Sequence, residues 1–251
     1  MRIEANTTGR RLSADSSAAL AVAGGLAGRV DYVSVALGAS STYLGSAGIV
    51  PPPPVPANAI AKHAAPFRLG PPLITTTRIV DPAEADRLIA GDVADAVGMT
   101  RALIADPDLG RKAAEGRLED VLRCIGCNAC IAHYHAGTGI ACTQNPRTGR
   151  ERTLPRPTGA AARRRVVVVG AGPAGLAAAA EANAGGHEVV VLERTDRIGG
   201  QLALAGVAPM HEEVARSLTR NYERLLAGVD LRLEVDADAD AVAALGPDLA
   251  V

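Results

Sequence analysis

The chain has no tryptophan and a single phenylalanine, and aromatic residues fill only 2% of its 251 positions. A core organised around large rings is therefore excluded. With 48% hydrophobic residues, the interior must be built from Ala, Val, Leu and Ile, as in parallel sheets covered by Ala-rich helices. An excess of one charge is also lacking. The formal net charge is −1, which gives no electrostatic case for nucleic acid or an anionic membrane as partner. The longest apolar run, Val166 to Ala180, contains three Gly and one Pro and stops at Glu181, so it is too short to span a bilayer. The N-terminus lacks the basic-then-apolar pattern of a secretory signal. A soluble cytoplasmic protein is expected, of one large or two modest domains.

Cysteine is scarce too, and all four residues lie in one segment, CIGCNACIAHYHAGTGIAC, from Cys124 to Cys142. The spacing is Cys-x2-Cys-x2-Cys-x11-Cys. Three thiolates at steps of three residues can wrap one cubane, and a later cysteine completes it. Cys124, Cys127, Cys130 and Cys142 are thus candidate ligands of a 4Fe–4S cluster. Gly126 permits a tight turn beside the sulfides. Structural zinc generally uses two separated Cys-x2-Cys pairs, a different spacing. Disulfides are cramped at these steps and disfavoured in the cytoplasm. His133 and His135 read either as further ligands or as loop and packing histidines.

After residues 147–164, an Arg-, Pro-, Gly- and Thr-rich linker, a second α/β unit begins. A buried strand RVVVV (165–169) runs into Gly170-Ala-Gly172-Pro-Ala174-Gly175, an Ala-rich helix from Leu176 to Ala184 follows, and a second strand EVVVL (188–192) ends at Glu193. Glu193 lies 18 residues past Gly175, close to the spacing of about 20 expected for a ribose-binding acid. Gly170 makes the turn, Gly172 admits a pyrophosphate, and Gly175 lets helix and strand approach. The N-terminus of that helix attracts the anion. Arg194 to Gln201 (RTDRIGGQ) would bring a second glycine loop, Gly199 and Gly200, near the same diphosphate. Glu212 to Leu225 reads as an amphipathic helix. Val229–Val235 and Asp248–Val251 read as strands.

Before the cysteines, strand-like and helix-like stretches alternate. Arg10–Ser13, Tyr32–Leu37, Pro72–Thr76 and Ala94–Met99 read as strands. Ala18–Ala27, a segment capped by Asp81 and opened by Pro82, and the stretches 106–115 and 118–122 read as helices. PPPPVP (51–56) reads as a stiff surface loop. Strand–helix repeats at this spacing indicate a parallel sheet or barrel.

Together, TTTRIVDPAEAD (75–86), DAVGMTRALIADPDL (95–109), EGRLEDVLRCIGCNAC (115–130), CTQNP (142–146), VVVVGAGPAGLAAA (166–179) and LERTDRIGGQLALA (192–205) resemble a known family. It is that of the old yellow enzyme-like NADH:flavin oxidoreductases with an iron–sulfur loop and an FAD/NAD domain, which includes 2,4-dienoyl-CoA reductase and trimethylamine dehydrogenase. The resemblance implies an α/β fold in four parts. These are the C-terminal half of an FMN-binding (β/α)8 TIM-type barrel (1–123), a 4Fe–4S loop (124–146), the linker, and the start of a Rossmann-like FAD/NAD(P)-binding domain (165–251). It also implies roles. Arg101 and Arg78, with Thr100 and Thr77, would lie at the FMN phosphate, and Arg11 over the flavin N1 and O2. Gly170, Gly172, Ala174, Gly175, Glu193, Arg194, Gly200 and Gln201 would hold FAD or bare ADP. Without the family, Arg78 and Arg101 read as surface or salt-bridge arginines.

A barrel of this type takes about 250 residues, whereas 123 precede Cys124. The chain therefore reads as a piece of a longer enzyme. No catalytic acid or base can be named, and Tyr43 reads as an exposed loop residue. The expected activity is NAD(P)H-dependent reduction of an activated alkene, such as an enoyl or dienoyl thioester. A truncated electron carrier without turnover, or a non-functional fragment, stand as alternatives.

Overall fold

A computed structural model of the chain describes residues 2–5, 14–38, 47–53, 55–59, 61–159, 162–209 and 211–251. It divides into two compact units, residues 1–149 and 150–251. Arg11, Tyr43 and the strand expected over 10–13 lie outside the described residues.

Among its described residues the first unit holds four strands, β1 (Arg2–Ala5), β2 (Val33–Leu37), β3 (Leu73–Thr75) and β4 (Ala96–Val97). Each is parallel to the next and they lie in chain order. Parallel neighbours require a crossover. The helix Ala14–Leu26 lies between β1 and β2, and Pro82–Ala90 between β3 and β4. The crossover from β3 to β4 starts as expected: Asp81 accepts a hydrogen bond from the Ala83 N–H at 3.0 Å, with Pro82 in the first turn. That helix turns Ala85 and Leu88 inward onto a core of Val33, Val35, Leu37, Leu73, Ile79 and Phe67. The only phenylalanine is thus spent at the centre.

Several boundaries differ from the sequence reading. β3 and β4 are shorter than expected, because parallel pairing reaches only to Thr75 and Val97. The stretch after β4 turns helical at Thr100–Ala105, and again at Leu109–Ala114. Residues 118–120 form only a 3₁₀ turn.

The second unit holds β5 (Arg165–Val169), β6 (Glu188–Leu192), β7 (Asp230–Arg232) and β8 (Leu249–Ala250), all parallel, in the order β7-β6-β5-β8. The order reverses direction at β5, so a crevice opens beyond its carboxyl end. Alternate residues serve opposite faces. Val166, Val168, Val189 and Val191 pack with Leu176 and Ala179, while Val167, Val190 and Leu192 pack with Val242 and Leu245. The helix Glu212–Leu225 has the expected bounds. An additional helix, Ala239–Ala244, is capped by Asp238. Among the described residues no helix is long and apolar enough to cross a membrane.

Candidate functional site

In the first unit, the chain leaves β3 through Thr77 and Arg78, both with positive φ (90° and 52°). A β-branched residue in that conformation is an outlier, and such strain gathers at ligand sites. Thr77 is buried and its Oγ1 accepts the Leu37 N–H at 3.1 Å, which ties the turn to the end of β2. Arg78 donates to the Pro52 carbonyl at 3.0 Å. From β4, Gly98 passes so close to Thr76 that a Cβ would stand 2.5 Å from its Cγ2. Thr100, exposed, opens the next helix, and Arg101 follows, 9% exposed. Because β3 and β4 are adjacent and parallel, both arginines follow the same edge of the sheet.

That edge carries the cysteine loop. Arg101 Nη1 donates to Asn128 Oδ1 at 2.6 Å, and Asn128 Nδ2 donates to the Val50 carbonyl at 2.7 Å. Asn128 has φ 59° and precedes a short helix, Ala129–His135, which carries Cys130. Gly126 has φ 71°, and a Cβ there would press on Pro53 Cδ at 3.0 Å, so glycine suits the close approach of the loop to Pro53. Asp106 supports the entry to the loop. It is buried, accepts the Leu122 N–H at 2.9 Å and pairs with Lys112 at 2.7 Å. CTQNP supports its exit. Gln144 donates to the Arg123 carbonyl at 2.9 Å, and Asn145 and Thr148 both donate to the Ile104 carbonyl, at 3.0 and 3.2 Å. These ties return Cys142 toward the other three cysteines.

All four thiols are free of disulfides; Cys130 is buried, Cys124 and Cys142 are half-buried and Cys127 is exposed. Burial pushes the Cys124 and Cys130 thiols up. Arg101 opposes this in both, whereas Cys127 and Cys142 add to it in both. Cys124 and Cys130 are therefore each within electrostatic reach of Cys127, Cys142 and Arg101. The Gly126 N–H donates to Cys124 Sγ at 3.4 Å, and Cys127 Sγ lies 3.3 Å from Thr143 Oγ1. Among the described residues no group of three or more His, Cys, Asp or Glu is gathered as a ligand set for a single metal ion. His133 Nδ1 faces Thr138 Oγ1 at 3.2 Å, and the His135 ring meets Tyr134 edge-on.

In the second unit the glycine motif sits between β5 and the helix Pro173–Ala184. Gly170 has φ 100°. At Gly175 a Cβ would stand 2.0 Å from the Gly170 carbonyl oxygen, while at Gly170 and Gly172 it would meet nothing within 4 Å. Two glycines thus face open space, and the third closes helix onto strand. Pro173 and Ala174 are exposed in the first helical turn, whose N–H groups have no intrahelical acceptors. The second glycine loop joins them: the Gly199 N–H donates to the Ala171 carbonyl at 2.8 Å, and a Cβ on Gly200 would lie 3.1 Å from Gly172 Cα. Arg194 and Gln201 are exposed beside it.

Glu193 is buried and already engaged. Its Oε2 accepts the Ala171 N–H at 2.7 Å, and its Oε1 accepts the Thr195 N–H and hydroxyl at 2.9 and 2.8 Å. Burial alone would raise this carboxyl, but those bonds from Thr195 and Ala171, with Arg194 nearby, hold it below the usual value. With about four acceptor positions on a carboxylate, Oε2 keeps room for one more donor.

The sequence reading passed over Asp106, Asn128 and Gln144. Their partners lie 16, 78 and 21 residues away, and only the Asx-like left-handed turn at Asn128, between two cysteines, offered a local hint.

Residues 165–243 match the FAD dependent oxidoreductase family. The chain is 38% identical over 231 residues to N,N-dimethylglycine/sarcosine dehydrogenase of Chromohalobacter salexigens, covering 89% of this chain and 33% of that protein. It is 40% identical over 185 residues to NADH oxidase of Thermoanaerobacter brockii, covering 72% and 28%. Among solved structures it is similar to a 2-naphthoyl-CoA reductase complex, with TM-score 0.89 and 28% identity over all of this chain and 38% of that one. It spans about a third of the length of these relatives. On the glycine motif, the cysteine segment and these likenesses, the chain belongs to the flavin oxidoreductase family of 2,4-dienoyl-CoA reductase and trimethylamine dehydrogenase.

Proposed function

We propose that this chain serves a flavin- and iron–sulfur-dependent oxidoreductase reaction. Electrons would pass between NAD(P)H, FAD, a 4Fe–4S cluster and FMN, and the substrate is an activated alkene such as an enoyl or dienoyl thioester. The observation that carries this reading is the cysteine loop braced against a buried Arg101 at the strand-end edge of a parallel sheet. Four sequential parallel strands suit half of a (β/α)8 barrel, in which phosphate is held after the last two strands. Arg78 and Arg101 occupy those positions, with Thr77 and Thr100 beside them.

The donor set fits a cluster better than zinc. Four thiolates on one zinc, each bond about 2.3 Å long, would crowd to roughly 4 Å from one another; sulfurs bound to separate irons of a cubane stand farther apart. Cys124, Cys127, Cys130 and Cys142 would hold the cluster, and backbone N–H groups such as that of Gly126 soften its charge. In the second unit, Gly170 and Gly172 leave the space a pyrophosphate needs, and the helix N-terminus at Ala174 faces it. Glu193 offers its remaining acceptor position to one ribose hydroxyl, and Arg194, Gly200 and Gln201 border the diphosphate. When bound, the flavins and cluster supply the hydride and single-electron chemistry, and the chain's part is to bind, orient and tune them.

A second reading keeps these cofactors and reverses the flow, with an N-methylated amine as donor. The likeness to a dimethylglycine/sarcosine dehydrogenase favours it. The test is anaerobic purification with iron, sulfide and flavin analysis, followed by turnover assays with NADH and an enoyl thioester, or with an N-methylated amine and an artificial acceptor. Bound zinc without iron or flavin sinks both readings. Turnover of the amine alone selects the second.

A further inference from the structure

Arg101 presents an electrostatic problem. The residue is 9% exposed, and no carboxylate is paired with it among the described residues. A buried cation without a counter-ion is costly. The neutral Asn128 amide accepts one of its five N–H bonds at 2.6 Å. Asn128 is itself held by the Val50 carbonyl at 2.7 Å, in a left-handed conformation between Cys127 and Cys130. The charge is therefore fixed against the loop that carries the cysteines, by a residue of that loop.

We propose that Arg101 sets the reduction potential of the cluster bound by Cys124, Cys127, Cys130 and Cys142, and that Asn128 is the positioning residue that holds it there. This rests on the cluster reading above. One-electron reduction of the site, with dithionite as donor in the test, adds a negative charge beside a fixed positive one. Arg101 stabilises the reduced form more than the oxidised form and raises the midpoint. The resemblance assigns Arg101 to the flavin phosphate alone. In the structure its guanidinium also binds the cysteine loop, so one side chain would serve both redox groups.

The experiment is an EPR-monitored potentiometric titration of the full chain, purified anaerobically, alongside Arg101→Gln, Arg101→Lys, Asn128→Ala and the double variant Arg101→Gln/Asn128→Ala. Iron and sulfide are measured on every sample. Arg101→Gln is expected to lower the midpoint by about a tenfold change in the reduced-to-oxidised ratio, ~59 mV for one electron. Arg101→Lys recovers most of the shift. Asn128→Ala gives a smaller shift of the same sign, and no further shift in the Arg101→Gln background, because Asn128 acts through Arg101. An unchanged midpoint in Arg101→Gln at full iron content overturns the proposal and leaves the cluster reading intact. Additive shifts overturn the role of Asn128. If Arg101→Gln fails to accumulate, an unshifted Asn128→Ala overturns the proposal. Wild-type protein without iron overturns the cluster reading, and the proposal with it.

Discussion

Replacing Gly175 with alanine sets a steric demand the second unit cannot meet without moving backbone. The new methyl would stand 2.0 Å from the Gly170 carbonyl oxygen, where ordinary contact begins at 3.4 Å, and Val168 Cγ1 at 3.2 Å blocks a sideways escape. The first turn of the helix Pro173–Ala184 must therefore lift off the end of β5 by more than an ångström. Overpacking of this kind costs about 1–3 kcal/mol, and more where backbone must move. Alanine's better helix propensity returns less than ~1 kcal/mol. A net loss of ~2 kcal/mol in a unit of about 100 residues lowers Tm by roughly 10 °C. Gly172→Ala is the contrasting variant. Gly172 has φ −76° and ψ 173°, open to any residue, and its Cβ would meet nothing within 4 Å. Its stability change is expected within about 0.5 kcal/mol. The methyl nevertheless occupies the space through which a pyrophosphate approaches, and FAD affinity is expected to fall at least tenfold. Thermal melts read the first effect and flavin fluorescence titration the second. Equal Tm losses in the two variants would refute the steric reasoning, and undiminished FAD binding by Gly172→Ala would refute the assignment of the cradle.

Glu193→Gln places an amide where three donors converge, at a cost of about 1–3 kcal/mol. Because the carboxyl is held below its ordinary value of 4.5, its contribution is complete above that pH and is lost as pH falls through the lowered folded value. The Tm gap between wild type and variant should therefore stay constant near neutrality and close below about pH 4.5; a gap that widens in acid contradicts the assignment. Asp106→Asn removes the carboxylate shared by Lys112 and the Leu122 N–H. Its expected cost is about 3 kcal/mol in urea unfolding of the first unit, the low end for a buried pair because Lys112 is partly exposed. A change within 0.5 kcal/mol, the ordinary range for surface substitutions, would show that the brace carries no weight.

What the sequence revealed was local. The run from Arg165 to Glu193 is readable because strand, glycines, helix and acid follow one another within a single βαβ unit, and each residue's task depends on near neighbours. Asp81 and Pro82 marked a helix start for the same reason. β1 was missed because Arg2–Ala5 is four residues with no periodicity, and only its pairing with β2 makes it a strand. The helix Thr100–Ala105 carries no sequence signal of its own because its six residues are too few for a helical period to emerge. At the cysteine loop the ligand candidates were legible from spacing, but their supports were not. Arg101 looked like a surface arginine because nothing nearby in sequence signals that Asn128, 27 residues on, would draw it inward.

The braces of that loop have a further consequence. Leu122 N–H on Asp106, Asn128 on Val50, Gln144 on the Arg123 carbonyl, and Asn145 with Thr148 on Ile104 are all made by groups other than the thiols. In zinc-finger peptides the metal is the fold, and chelation unravels the chain. If the loop holds the cluster proposed above, shape and loading are separate events: protein stripped of iron is expected to keep the loop's outline and to accept iron and sulfide again without refolding, and oxygen damage to such a cluster would be a repairable loss instead of a terminal one.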